Sequence, residues 1–373
     1  MERDVVDLLA RLVSIDSVNP SLVPGAAGEA KIAEFVAEWA INAGLNVEII
    51  EETPGRPSVV VRSNRQGDGK TLLLCGHLDT VGVGGMTDPL TPKTEGDRLY
   101  ARGAYDMKAG LAAALVACRE ADRANLQGEV VVAAVADEEH SSIGVQEVLK
   151  HVTADAAIVC EPTELTVATA HKGFVWVEIE VVGKAAHGSR PHLGVDAILK
   201  TGPILVALEQ LNERLRARQH PRVGPGTLHA SLITGGREES TVPDLCVLTL
   251  ERRTLPGETV ADVERDITEL LAGCTGVKTS SRTTLAREPF ETEDDTAIVS
   301  EVAKAATEVS GKAAELVGVS YWADSAFLSA AGIPTVLFGP NGDGAHAEVE
   351  WVSLAGTVAC TRTLIATARS FCR

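Results

Sequence analysis

TLLLCGHLDTV (residues 71–81) is an apolar run that stops abruptly on a histidine and an aspartate, and its reading decides the fold. A segment so short and so continuously apolar reads as a buried strand, with polar residues beginning where the strand ends. The construction recurs. VVVAAVA (130–136) precedes Asp137, Glu138 and Glu139, AAIVC (156–160) precedes Glu161, and TVLFGP (335–340) comes shortly before His346. Strand ends of an open α/β sheet converge on one crevice, so polar residues far apart in sequence can meet there.

Outward from these strands, helices and strands alternate from residue 29 to 160. EAKIAEFVAEWAINAG is a helix ending at Gly44, strands fall near 46–51, 58–63 and 71–76, and an alanine-rich helix is expected over 107–124. Strand 129–136, helix 143–151 and strand 155–160 follow. This is the pattern of a doubly wound, mixed sheet flanked by helices. The character changes at FVWVEIEVVG (174–183), where apolar and polar residues alternate as in a sheet with one wet face. Helix 194–216, strands in TLHASLITGG and CVLTLERRTLP, helix 258–272 and a strand at 276–284 suggest an antiparallel sheet with two helices on one face. Helix 294–310, strand 314–317, helix 324–331, strand 334–338 and helix 353–371 return to the earlier style. The expectation is an α/β domain split over 1–172 and 285–373. An α+β domain of two layers is inserted at 173–284.

Composition excludes some functions. A chain of 373 residues suggests two domains. A net charge of −18 argues against nucleic acid, which needs a basic face, and against anionic membranes. The seven cysteines are dispersed, mostly in apolar runs, and form no CxxC, so reduced thiols in a cytoplasm are expected, with neither a disulfide framework nor a thiolate zinc site. Val5, Leu8, Leu9, Leu12 and Val13 make the N-terminus an amphipathic helix without the marks of a signal peptide, and no segment has membrane-spanning length.

The polar segments follow one another in a specific order. GHLDTV, DPLTPKTEGDRLYARGAYDMKAG, DEE, EPT, AHGSRPHLGVDAI and the histidine after FGP together span nearly the whole chain. This series resembles the M20 family of zinc aminoacylases and peptidases, a group that includes acetylornithine deacetylase, succinyl-diaminopimelate desuccinylase, aminoacylase-1 and the glutamate-releasing carboxypeptidase. STVPD (240–244), ERRTLPGE (251–258) and ADSAFL (323–328) are more similar to the deacetylase and desuccinylase branch.

The resemblance implies that the split domain is catalytic and metal-binding, that the inserted one serves for dimerisation or as a lid, and that two divalent metal ions are held, zinc with cobalt as a substitute. His77 and Glu161 would hold one ion, Glu139 and His346 the other, and Asp106, with two oxygens, would bridge them. Asp79 would accept the other imidazole N–H of His77 and fix its tautomer. Glu138 is the spare carboxylate, expected to take the proton of the attacking water and return it to the leaving amine. His187 in the inserted domain is the family-based candidate for the oxyanion donor, reaching the active site of the partner subunit in a homodimer. Arg253, chosen over Arg252, is the candidate clamp for a substrate carboxylate. The implied reaction is hydrolysis of an N-acyl-L-amino acid, acetylornithine being the leading case, with a dipeptidase or carboxypeptidase as the alternative.

Taken singly, most of these signals have ordinary explanations. A histidine and aspartate at a strand end, an acidic turn such as DEE, or a histidine in a Gly/Asp-rich loop usually carries no metal; the ordered series outweighs that. A non-catalytic binding protein on the same fold is a remote reading, disfavoured because Glu138 is retained. GVGGM (82–86) is not framed as a phosphate loop, and no GxSxG occurs, which disfavours a nucleotide enzyme and a serine hydrolase.

Overall fold

A computed structural model describes residues 1–373, and the chain divides into two compact units. One comprises Met1–Thr169, Thr292–Val317 and Ala323–Arg373; the other comprises Ala170–Glu291 with Gly318–Trp322.

The first unit is built on a mixed sheet in which four central strands run parallel: Glu129–Val135, Thr71–His77, Ala156–Val159 and Thr335–Leu337. Ser58–Arg62 and then Asn46–Ile50 extend it antiparallel on one side, and Val167–His171 pairs antiparallel on the other. The unbroken apolar runs follow from burial on both faces. Leu72, Leu74, Val130 and Val132 join a core shared with the helices Glu2–Val13, Ala30–Asn42, Ala109–Arg123, Ala297–Ser310 and Leu354–Phe371. Leu73, Val131, Ala133 and Val135 point the other way and are equally buried. Each such leucine or valine contributes roughly 1.5–3 kcal/mol relative to an exposed one.

The parallel arrangement puts four carboxyl ends on one edge of the sheet. His77 ends its strand, Glu138 and Glu139 follow Val135, Glu161 follows Val159, and the loop carrying His346 follows Leu337. Gly339, just past that last strand, lies so close to the neighbouring strand end that a Cβ there would sit 2.1 Å from the Glu161 carbonyl oxygen. Only glycine lets the two backbones approach this far.

Three local features depart from expectation. The helix expected from residue 107 begins at Ala109, after a wide turn over Ala104–Lys108 in which Asp106 and Met107 are non-helical and joined by a cis peptide. A four-stranded antiparallel sheet of short segments (Lys93–Glu95, Arg98–Tyr100, Trp351–Ser353, Gly342–Asp343) was not apparent from sequence. The strand Val167–His171 is also additional to the expected set.

The second unit contains a four-stranded antiparallel sheet ordered Thr227–Gly235, Leu245–Thr254, Gly173–Val182, Lys278–Arg287. Val175, Val177, Ile179 and Val181 face the helices Ala197–Arg216 and Val260–Ala272, while Trp176 and Glu180 on the alternate positions are exposed. Thr259 caps the second helix in a reciprocal capping box with Asp262. No helix of the protein is long and apolar enough to cross a membrane.

Candidate metal centre

The strand ends bring together the residues singled out in the first unit. Asp106 is central: its Oδ1 lies 3.2 Å from His77 Nε2 and its Oδ2 lies 3.3 Å from His346 Nε2. Glu161 Oε1 is 3.6 Å from His77 Nε2, and Glu139 Oε2 is 3.0 Å from His346 Nε2. Ligating atoms of His77, Asp106 and Glu139 lie within 4.8 Å of one another, and so do those of His77, Glu138 and Glu161. Glu138 is therefore inside the donor cluster rather than beyond it, its Oε2 4.0 Å from His77 Nε2.

Electrostatics show what this arrangement lacks as protein alone. Burial drives the carboxyls of Glu138 and Glu161 well above the usual carboxylate range, and mutual repulsion with neighbouring carboxylates adds to it. Glu139 is raised by burial and by Asp106. Burial opposes the charged form of His77, yet Asp106, Glu161, Glu138 and Asp79 outweigh it and hold the imidazole protonated well above its ordinary range. Hydrogen bonds to Asp106 and Glu139 lift His346 to about 10 despite partial burial. Burial would raise Asp106 too, but the two histidines bring it below the normal range. The cluster thus retains protons to offset its negative charge. Imidazole nitrogens and carboxylate oxygens are the donors zinc prefers, so the set fits divalent cations that would take the place of those protons.

Asp79 sits where expected but acts differently. His77 Nδ1 faces the Asp79 carbonyl oxygen at 2.9 Å, whereas the nearer carboxylate oxygen is 3.7 Å away. The main chain at Asp79, not its side chain, sets the imidazole. The carboxylate instead accepts the backbone N–H groups of Glu138 (3.1 Å) and Glu139 (3.2 Å), because the tight turn after the strand leaves those donors without ladder partners.

Glu350 escaped the sequence reading. It is 1 % exposed and accepts from Arg102 Nη1 at 2.7 Å and from the backbone N–H groups of Gly103, Tyr105 and Asp106. One buried carboxylate therefore holds the turn that carries Asp106. Its signal in sequence was an acid in an otherwise apolar setting, VEW, too common to single out. Glu164 also bridges loops, accepting from the Tyr105 hydroxyl at 2.6 Å and the Gly342 N–H at 3.3 Å.

His187 and Arg253 belong to the second unit. His187 is exposed on a two-residue strand, its Nδ1 2.9 Å from Ser189 Oγ. Arg253 is half-buried, donates from Nε to Glu251 Oε1 at 2.7 Å and lies over the Phe174 ring. Arg252, buried and paired with Glu258, has a structural role within its unit.

The donor set at the strand ends is one that could hold divalent metal ions. The model of peptidase family M20/M25/M40 matches residues 73–370, and the chain belongs to that family. Acetylornithine deacetylase of Vibrio campbellii is 33 % identical over 269 residues, covering 70 % of each chain. Among solved structures, aminopeptidase PepT of Bacillus cereus superposes with a TM-score of 0.82 at 19 % identity, covering 100 % of this chain and 99 % of the other. The Bacillus subtilis YXEP protein, described as a dinuclear metal-binding peptidase of the M20 family, gives a TM-score of 0.77 at 14 % identity, with 100 % and 98 % covered.

Proposed function

We propose that this protein is a two-metal amidohydrolase that releases the acyl group from an N-acyl-L-amino acid, with N-acetylornithine the leading substrate. The observation that carries the reading is Asp106, whose two oxygens face two different histidines across one crevice. His77 and Glu161 would hold one ion, His346 and Glu139 the other, with Asp106 shared; zinc is the proposed metal and cobalt a working substitute. When bound, the pair supplies Lewis acidity to the scissile carbonyl and lowers the pKa of a water towards ~7.

The remaining work belongs to the chain. A Glu138 carboxylate oxygen takes the proton from the water as it attacks the amide carbon, then returns it to the departing amine. Position suits Glu138 to this, since its Oε2 lies 4.0 Å from His77 Nε2, beside the donors that would hold the metal. Asp79 keeps Glu138 and Glu139 in register through their N–H groups. His187 is proposed as oxyanion donor to a partner subunit, and Arg253 as the fork for the substrate carboxylate. Exposed Leu199, Val206, Leu232 and Ile233 on the second unit support a homodimer, because apolar surface on one helix and one edge strand favours burial. The free cysteines, most of them buried, support a cytoplasmic setting.

Solved structures of the same fold that include a metallo-carboxypeptidase of Sulfolobus solfataricus and human carnosine dipeptidase 1 support one second reading, a di- or carboxypeptidase using the same residues. A panel of N-acetyl-L-ornithine, other N-acetyl and N-succinyl amino acids and dipeptides, assayed with added Zn²⁺ or Co²⁺, separates the two. Equal activity in chelator-treated and metal-restored protein would sink the metal mechanism altogether.

A further inference from the structure

Behind the turn that carries Glu138 and Glu139 lies a buried ionic cluster for which the reaction has assigned no part. Arg56, 8 % exposed at the entry to the strand Ser58–Arg62, grips both oxygens of Glu29 from Nε and Nη2 at 2.7 and 2.6 Å. The same Nη2 reaches Asp137 Oδ1 at 2.8 Å and Asn19 Oδ1 at 3.2 Å. Asn19, fully buried, donates from Nδ2 to Asp137 Oδ1 at 3.0 Å and to Asp79 Oδ2 at 2.7 Å. Asp79 then receives the N–H groups of Glu138 and Glu139. Asp137 has a left-handed φ of +66°, unusual for a residue with a side chain, and its N–H points to Glu29 Oε1 at 3.3 Å.

An unbroken chain of contacts thus runs from a guanidinium to the backbone of both glutamates. Stability alone is a poor reason for it, since a buried ion pair typically does no better than apolar residues of the same volume. What such a network does well is hold one geometry, because every donor and acceptor in it is directional. It holds the turn at the point where one glutamate must face the water and the next the metal.

We infer that Arg56 and Asn19 are positioning residues for Glu138 and Glu139, acting through Asp137 and Asp79; this rests on the proposed roles of those two glutamates. Arg56→Lys keeps the charge and loses the fork. Asn19→Ala cuts the link to Asp79 and leaves the Arg56–Glu29–Asp137 ion cluster in place, so it decides the matter if Arg56→Lys does not fold. On the full-length protein, zinc titration against a competing chelator gives the two metal affinities. Steady-state kinetics on the best amide of the panel gives kcat and KM.

The expected result is a far-UV spectrum like wild type, KM nearly unchanged, and a ~10–100-fold loss in kcat with a similar loss in one zinc affinity, the usual cost of removing a group that orients a ligand. Wild-type kcat and both wild-type affinities in Asn19→Ala would overturn the inference, even if its melting temperature fell, because the network would then be structural only. That result leaves the two-metal reading standing. A wild-type protein that binds no zinc overturns both.

Discussion

Exchange of Glu138 for glutamine keeps the shape of the side chain and removes its basic oxygen. Turnover is expected to fall ~10²–10⁴-fold, the range for loss of a general base, with metal content by elemental analysis unchanged. Asp106→Ala should instead strip metal at both positions, since each oxygen serves a different histidine. The donor residues themselves were legible because each followed an apolar run or fell within an ordered motif. Their supports were not. Asp79 was visible, but which of its oxygens met His77 depended on how the turn closed after the strand. Glu350 lies 244 positions from Asp106, whose N–H it receives, and nothing local marks such a pairing.

Among elements, the four parallel strands and the amphipathic helices were legible because burial leaves a periodic or continuous apolar trace. The short sheet joining Arg98–Tyr100 to Trp351–Ser353 left none: its strands are three residues or fewer, and the pairing that joins its two halves links segments distant in sequence. The start of the helix at Ala109 was equally hidden, because Glu350 captures the Asp106 N–H and holds the turn ahead of it. At the edge of the sheet, Gly339→Ala tests how tightly the strand ends are set. The added methyl would press on the Glu161 carbonyl, so a loss of about 1–3 kcal/mol in stability is expected, as for other overpacked sites. Denaturant unfolding measures it, and a parallel zinc titration should show weaker binding because Glu161 shifts.

For the whole molecule, charge and assembly give two further expectations. The raised carboxyls of Glu138 and Glu161 and the raised His77 and His346 all mean that the folded protein binds more protons than the unfolded one. Chelator-treated protein should therefore lose stability as pH rises from about 5 towards 10, and melting curves in that window should move upward when zinc is added. If His187 serves a partner's site, His187→Ala and Glu138→Gln homodimers should both be nearly inactive, while co-expressed mixed dimers regain one competent site; no recovery would remove His187 from that role. If Asp106 is shared by two ions as proposed, the two metal positions are tied together. Two ions held by one carboxylate cannot bind independently, so whatever factor the first occupant imposes on the second, the second imposes on the first. Occupancy then carries a coupling free energy, and a chelator that removes one ion resets the grip on the other by an equal amount.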